Sequence, residues 1–391
     1  MLKGCAGSKE TAEYFNTRGE LGGWLEAPGW HCSAVGFGSY RVDNTSKTHA
    51  EALRTALIAG CNLFDTSTNY TDGESEKAIG GAVDELIRRK VLDREQVIIV
   101  SKVGYVQGQA LELAEQRERA GQPFAEMVKY QPGCWHCIHP DFISVQFEKS
   151  RERLGMEVLD SYLLHNPEYF FMAGPPGDLA AQRLEFYRRV QKAFECLETL
   201  VEKGCLQNYG VSSNTFGAAA DDPTAVSLSE VWAAAERAAI SRGKKPSEHH
   251  FQIAQMPLNL FESGPFLRAN TGPGNAQTAL EFASEKGLGV LTNRPLNAFH
   301  DGSMVRLSEA GPAREEIRSA LAAYVPAAWH CAPLSQQALG VLIYTPGVSC
   351  VLVGMRRPIY VDDAWDATRL PRLEETEIRK IYELFAGATV A

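Results

Sequence analysis

Short apolar runs alternate with amphipathic stretches along nearly the whole chain, and this alternation limits the fold more than any single motif. The runs are SAVGFG (33–38), NLF (62–64), VIIVSK (97–102), LDSYLLH (159–165), NYGVSS (208–213), FQIAQM (251–256), GVLT (289–292) and SCVLVG (349–354). Most are β-branched or apolar throughout, as strands buried on both faces must be. Residues 46–59, 75–89, 140–154, 184–203, 227–239, 279–285 and 334–344 carry helical patterns, several closed by glycine, as in AG (59–60), KG (203–204) and KG (286–287). Eight strands alternating with helices is the count of a closed (β/α)8 barrel. A doubly wound open sheet competes, but it usually carries G-x-G-x-x-G after its first strand, and GFGSYR (36–41) lacks the third glycine. The α/β TIM barrel is therefore the predicted fold. Its 391 residues are long for one domain, yet large α/β barrels reach this size.

Extra chain follows strands rather than helices. Residues 103–139, 166–183, 214–226 and 293–333 are predicted loop insertions, the last with a helix near 314–324. All fall on the face where barrel enzymes build their sites. Residues 1–32 form an N-terminal lead expected to cover the barrel bottom. A single barrel domain over residues 1–391 is expected.

Charge and composition exclude several classes. The net charge of −9 and the lack of a Lys/Arg block argue against nucleic acid. No apolar run reaches the roughly 18 residues of a membrane span, so no membrane partner is expected. The start MLKGCAGSKETAEYFNTRGE lacks the apolar core of a signal peptide. Nine cysteines, an odd number and scattered, read as reduced thiols, and a cytoplasmic location is expected.

The stretch FDTSTNYTDGESE (64–76) sets a carboxylate and a phenol five residues apart at a strand end. Asp65 closes the second strand and Tyr70 follows it. Lys102 closes the third strand and His165 the fourth. Each alone has an ordinary explanation: a cap, a packed ring, a solvated cation, a histidine bonded to backbone. Together, at the mouths of three consecutive strands, they can converge on one point. A Tyr near its usual pKa of about 10 is a poor acid at neutral pH. A Lys ammonium held by Asp65 is expected to lower that value.

At these residues the chain resembles the aldo-keto reductases. The resemblance runs over roughly residues 17 to 390 in the order DTSTNYTDGESEKAIGGAV, IIVSKVG, LDSYLLHNPE, NYGVSSNT, IAQMPLNLFE and PGVSCVLVGMRRP. It implies a (β/α)8 barrel and reversible, NADP(H)-dependent interconversion of a carbonyl, an aldehyde or ketone such as a sugar-derived one, and its alcohol. It implies Tyr70 as general acid, tuned by Lys102 and Asp65. It implies that His165 hydrogen-bonds the substrate oxygen and stabilises charge developing there. Ser212, Ser213, Asn214 and Gln255 match positions that hold the nicotinamide carboxamide. A cofactor-sensing regulatory protein with little turnover is one rival; a transient-redox epimerase or eliminating enzyme is another.

Several positions depart from the family pattern. Leu258 stands where many relatives stack an aromatic ring on the nicotinamide. Arg294, in TNRPLNA, replaces a small or aromatic residue and could meet the pyrophosphate or an anionic substrate, or pair with Glu262. In GMRRPIYVDDA, Gly354 opens the segment. Tyr360 and Ala364 take the adenine-contacting positions, and Arg356 and Arg357 could clamp a 2′-phosphate, favouring NADP over NAD. Asp362 and Asp363 follow closely.

The 103–139 insertion contains GCWHCIHP. Cys134, His136, Cys137 and His139 invite a metal reading, but four donors within six residues are crowded for tetrahedral ligation, and no second pair matches. No metal is assigned. Trp135, His136 and Tyr40 are expected to line the substrate pocket. Phe170 and Phe171 could add apolar surface to it. His249 and His250, in KKPSEHH, are expected at the surface.

Overall fold

The computed structural model describes residues 1–17, 22–25, 28–300, 303–309 and 311–386. Eight parallel strands close into a barrel in chain order: β1 (Val35–Gly38), β2 (Leu63–Asp65), β3 (Ile98–Val103), β4 (Leu159–His165), β5 (Leu206–Ser212), β6 (Phe251–Pro257), β7 (Gly289–Asn293) and β8 (Cys350–Val353). Helices α1 (Lys47–Ala59), α2 (Glu74–Arg88), α3 (Pro140–Leu154), α4 (Leu179–Glu202), α5 (Leu228–Ser241), α6 (Ala279–Glu285), α7 (Leu334–Tyr344) and α8 (Pro358–Ala367) lie between and after them.

The strands form because both of their faces have apolar surface to cover. Every residue of β3 and β4 is buried. Burying one such Val, Ile or Leu contributes about 1.5–3 kcal/mol. Gly210 is required within β5, since a Cβ there would sit 2.1 Å from the Ile253 carbonyl oxygen. Local chemistry sets the helix ends. The Ser46 hydroxyl accepts from His49 N at the start of α1, and Gly155 closes α3 in the left-handed region at φ 68°.

Side-chain alternation divides the barrel interior by height. Leu63, Ile98, Val100, Leu163, Ile253, Leu291, Cys350 and Leu352 form one apolar cluster, joined by Ala6, Trp30 and Cys32 of the lead. Two residues further along β2, β3, β4, β6 and β7 stand Asp65, Lys102, His165, Gln255 and Asn293. A strand returns to the same face every second residue, so these polar groups cap the apolar layer at the strands' C-terminal ends. The lead contributes helix Ser8–Asn16 and a hairpin, Gly22–Leu25 with Trp30–Ser33.

The structure corrects several element boundaries. The predicted run 33–38 is split, Ser33 pairing in the lead hairpin while β1 begins at Val35. Helix α4 starts at Leu179, five residues ahead of the predicted 184, because the Asp178 carboxylate accepts from Ala181 N at 2.9 Å. The 103–139 insertion is structured. It holds helix Gly108–Arg119 and a three-stranded antiparallel sheet with Cys134–His136 between Tyr105–Val106 and Val128–Gln131. The last insertion holds a hairpin, Asn297–His300 with Ser303–Arg306, and helix Pro312–Leu321.

His249 and His250 are not the surface pair expected. His249 is buried edge-on against Trp232, with ring centroids 4.4 Å apart, and His250 Nδ1 lies 2.9 Å from the buried Glu198 carboxylate. Glu198 also accepts from Tyr209 Oη and His250 N, bonds that outweigh its burial and bring its pKa down to about 2. Polar neighbours in sequence concealed this buried partner. Among the described residues no helix is long and apolar enough to cross a membrane.

Candidate active site

Asp65, Lys102, Tyr70 and His165 come together at the mouth of the barrel. Lys102 Nζ donates to Asp65 Oδ2 at 2.7 Å, to the Thr66 carbonyl at 2.7 Å and to Tyr70 Oη at 3.2 Å. The ammonium also lies 4.7 Å from the Tyr70 ring centroid. Tyr70 opens a 3-10 turn in which Thr71, Asp72 and Gly73 all have positive φ, at 49°, 54° and 87°. Left-handed backbone at non-glycine residues costs on the order of 1 kcal/mol each, a strain that gathers at functional sites. The His165 ring meets Tyr70 edge-on, with centroids 5.8 Å apart.

Burial and charge set the protonation states. Burial pulls the Lys102 pKa down, but Asp65 and Tyr70 more than offset it, so the ammonium is kept. Burial pushes Asp65 up against the pull of Lys102 and Gln255. Tyr70 departs from expectation. Burial raises its pKa, and the nearby ammonium only partly opposes that rise. The phenol therefore keeps its proton at neutral pH, held in place rather than acidified by Lys102. His165 is driven well below its ordinary value by burial, by Lys102 and by His136, and is a neutral imidazole.

On the β5–β7 side, Gln255 links the two halves of the mouth. Its Nε2 donates to Asp65 Oδ1 at 2.7 Å, and its Oε1 accepts from Ser212 Oγ at 2.9 Å and Asn293 Nδ2 at 3.4 Å. Ser213 Oγ and Asn214 N donate to the Glu168 carboxylate at 3.0 and 2.9 Å. Glu168 is wholly buried, and burial raises its pKa to about 7. Asn293 Oδ1 is buried without a hydrogen-bond partner among the described residues.

The remaining candidates scatter. Tyr40 is 59% exposed and stands edge-on to Tyr70 at 5.3 Å. His136 is buried and donates from Nε2 to the His165 carbonyl at 2.7 Å, so it backs the site rather than lining it. Lys129 Nζ lies 4.3 Å from the Trp135 ring centroid. Phe170 and Phe171 are buried against Phe186. Leu258 and Ala364 are also fully buried, so neither presents a surface to a nucleotide. Arg294 Nη2 pairs with Glu262 at 2.8 Å. Gly354 is exposed with open space around it, and Tyr360 is 43% exposed. Arg356 and Arg357 have no ion-pair partner among the described residues. Cys134, His136, Cys137 and His139 turn to separate partners: Gln107 Nε2, the His165 carbonyl, the Ala125 carbonyl and Asp141 N.

Ser67, Asn69, Tyr105, Gln107, Glu168 and Asn293 also border the site and escaped the sequence reading. Asn293 was within reach by counting two residues on from the inward Leu291. Glu168 lies only three residues past His165. Ser67, Asn69 and Gln107 carry no signal of their own.

The fold and the mouth define a (β/α)8 barrel whose ionisable groups gather at the C-terminal ends of its strands. The model of the Aldo/keto reductase family matches residues 34–386, and the chain belongs to that family. It is 26% identical over 191 residues to aldose reductase B of Dictyostelium discoideum, covering 47% of this chain and 50% of that protein. It is 24% identical over 196 residues to the NAD(P)H-dependent D-xylose reductase I,II of Candida tropicalis, covering 48% and 49%. The chain thus spans about half the length of the curated relatives it matches. Among solved structures, it is similar to an aldo/keto reductase from Klebsiella pneumoniae in complex with NADP and acetate, with a TM-score of 0.57, 20% identity and coverage of 93% and 95%. The holo form of an aldo-keto reductase from Bacillus halodurans gives a TM-score of 0.60, 18% identity and coverage of 95% and 97%. At these identities the structural likeness speaks for the fold.

Proposed function

We propose that this barrel is an NADP-dependent oxidoreductase that interconverts an aldehyde or ketone and its alcohol, with Tyr70 as general acid and base. The observation that carries this reading is the chain Asp65–Lys102–Tyr70, a buried ion pair whose ammonium ends on a protonated phenol. A bound nicotinamide would supply or accept the hydride. Tyr70 Oη gives its proton to the substrate oxygen in reduction and takes it back in oxidation. Lys102 stabilises the phenolate left behind, and Asp65 keeps the ammonium aimed at it. His165 flanks the same oxygen and orients it.

The residues present fit an NADP molecule. Asn293 Oδ1 is a buried acceptor in need of a donor beside Gln255, and an amide NH2 would satisfy it. Ser212, Ser213, Asn214 and Gln255 would hold that end. Arg356 and Arg357 would meet the 2′-phosphate, with exposed Tyr360 beside the adenine. With its guanidinium on Glu262, Arg294 would meet the pyrophosphate only after that pair opens. Fluorescence titration of the purified protein with NADPH and NADH tests the reading. The double variant Arg356→Ala, Arg357→Ala should weaken NADPH about tenfold and leave NADH nearly unchanged. Binding of neither nucleotide would sink it and bring the non-catalytic regulator forward. Nucleotide retained through purification without net carbonyl reduction would favour an epimerase or eliminating enzyme.

A further inference from the structure

We propose that the cavity between α4 and α5 is a second ligand site, suited to a small organic anion that also carries hydroxyl groups. The inference goes beyond the reading above and does not depend on it. The cavity measures about 740 Å³, a volume that small-molecule sites commonly have. None of the mouth residues described above lines it. Its walls come from one side of α4, the start of α5, the 214–226 loop and the segment around Asn270.

Charge selects the ligand. Arg183, Arg188 and Arg237 line the cavity against a single carboxylate, that of Glu230. Arg188 is already held by Glu126 and Glu185. Arg183 and Arg237 have no ion-pair partner among the described residues. Arg183 Nη2 donates to the carbonyls of Ala220 and Asp222 at 2.9 and 3.3 Å, which holds the guanidinium without neutralising it. Arg237 Nε donates to the Gln191 side chain at 3.2 Å. The nearby Asp222 carboxylate turns to Thr224 instead, accepting from its N and Oγ1 at 2.8 Å. Two such guanidinium groups suit a carboxylate or a phosphate, which their planar fork meets with paired hydrogen bonds. The start of α5 adds to this preference. Ser227 and Ser229 line the cavity, the Ser227 side chain does not cap the helix, and the dipole there favours negative charge.

A second observation asks for a donor on the ligand. Asn270 lines the cavity and is only 5% exposed. Its Nδ2 donates to the Phe216 and Ala218 carbonyls at 2.8 and 2.6 Å, and turning the amide over would set its oxygen against both. The amide orientation is therefore fixed. Oδ1 is left as a buried acceptor with no donor among the described residues. A bare anion would leave this acceptor unmet, and a neutral polyol would leave the two guanidinium groups unpaired. A hydroxylated anion answers both, and Glu230 offers its hydroxyl groups a further acceptor.

Isothermal titration of the full chain with gluconate and with glycerol phosphate tests the site, with sorbitol, acetate and inorganic phosphate as comparisons. At least one of the two hydroxylated anions should bind once per chain. It should bind at least about tenfold more tightly than any of the comparisons, the worth of one hydrogen bond. Arg237→Ala, at an exposed position, should weaken that binding about tenfold, and Glu230→Gln should not weaken it. Prior saturation with NADPH should leave it unchanged. Failure of both hydroxylated anions to bind would overturn the proposal, as would binding that survives both Arg237→Ala and Arg183→Ala. Displacement by NADPH would also overturn it, by placing the ligand in the nucleotide's site. Acetate or phosphate binding as tightly would overturn the need for hydroxyl groups.

Discussion

Among the described residues, two ion pairs have both side chains almost wholly buried, one near each end of the barrel, and their surroundings differ although their parts are nearly the same. Near the base, Arg94 Nη2 meets Asp160 Oδ2 at 2.8 Å, with both side chains almost wholly buried. At the mouth, Lys102 Nζ meets Asp65 Oδ2 at 2.7 Å, equally buried. Their remaining partners differ. Asp160 accepts from Ala6 N at 2.6 Å and Ile99 N at 2.7 Å, while Arg94 Nη1 donates to the Val97 carbonyl at 2.6 Å. That pair is tied to backbone and pins the lead and β3 to β4. Lys102 instead spends a hydrogen on the phenol of Tyr70, a side chain that opens to the mouth. A buried charge pair is weak evidence of stability by itself. What it ends on tells whether it holds a fold or prepares a reaction.

The largest expected effect breaks the basal pair. Asp160→Ala strands the Arg94 guanidinium and two backbone N–H groups, and should cost about 3–5 kcal/mol in urea unfolding. The folded fraction should keep its activity. An unchanged midpoint would dissolve the contrast between the two ends.

The next separates chemistry from stability at the mouth. Tyr70→Phe removes only an oxygen at the end of the chain, and should lower carbonyl turnover at least about a hundredfold. The unfolding midpoint should stay within about 1 kcal/mol of wild type, because the Lys102–Asp65 pair survives. Reduction at the wild-type rate would remove Tyr70 from its assigned role.

A smaller effect concerns Glu168, a buried carboxyl with no cation hydrogen-bonded to it among the described residues. Glu168 titrates near 7 in the fold, against an ordinary 4.5, because of its burial. Its protonated form is therefore the one the fold favours. That contribution is fully present below about pH 4.5 and is lost as pH rises through about 7. Wild type should lose on the order of 2 kcal/mol between pH 5 and pH 8 from this group, and Glu168→Gln should flatten that slope. Parallel pH profiles of the two proteins would show that Ser213 Oγ and Asn214 N satisfy the carboxylate without help.

The strand count, the barrel and the four mouth residues were legible because each rests on short-range pattern. Asp65, Lys102 and His165 end continuous apolar runs, and Tyr70 stands alone in a polar loop. The boundaries that slipped did so for local reasons. Asp178 hid its capping role behind two prolines and a glycine, and Ser33 continued an apolar run that the chain breaks after it. The direction of the Tyr70 shift was misread because the ammonium was visible in sequence and the burial was not.

By itself, then, the sequence determined the alternation of elements, the period of two that turns Lys102 and Gln255 into the barrel, and the identity of the groups at its mouth. These follow from residue spacing, which the backbone converts to direction without outside help. Tertiary structure alone decided which of those groups touch. Ser67, Asn69, Gln107 and Cys134 are ordinary residues until the 103–139 insertion folds back beside β2 and β4 and lines up their hydrogen bonds. Glu168 likewise becomes a carboxyl of raised pKa only when the fold buries it, against the pull of the Ser213 and Asn214 donors that follow β5. Hydrogen-bond polarity and desolvation depend on neighbours far apart in the chain, and no local pattern encodes them.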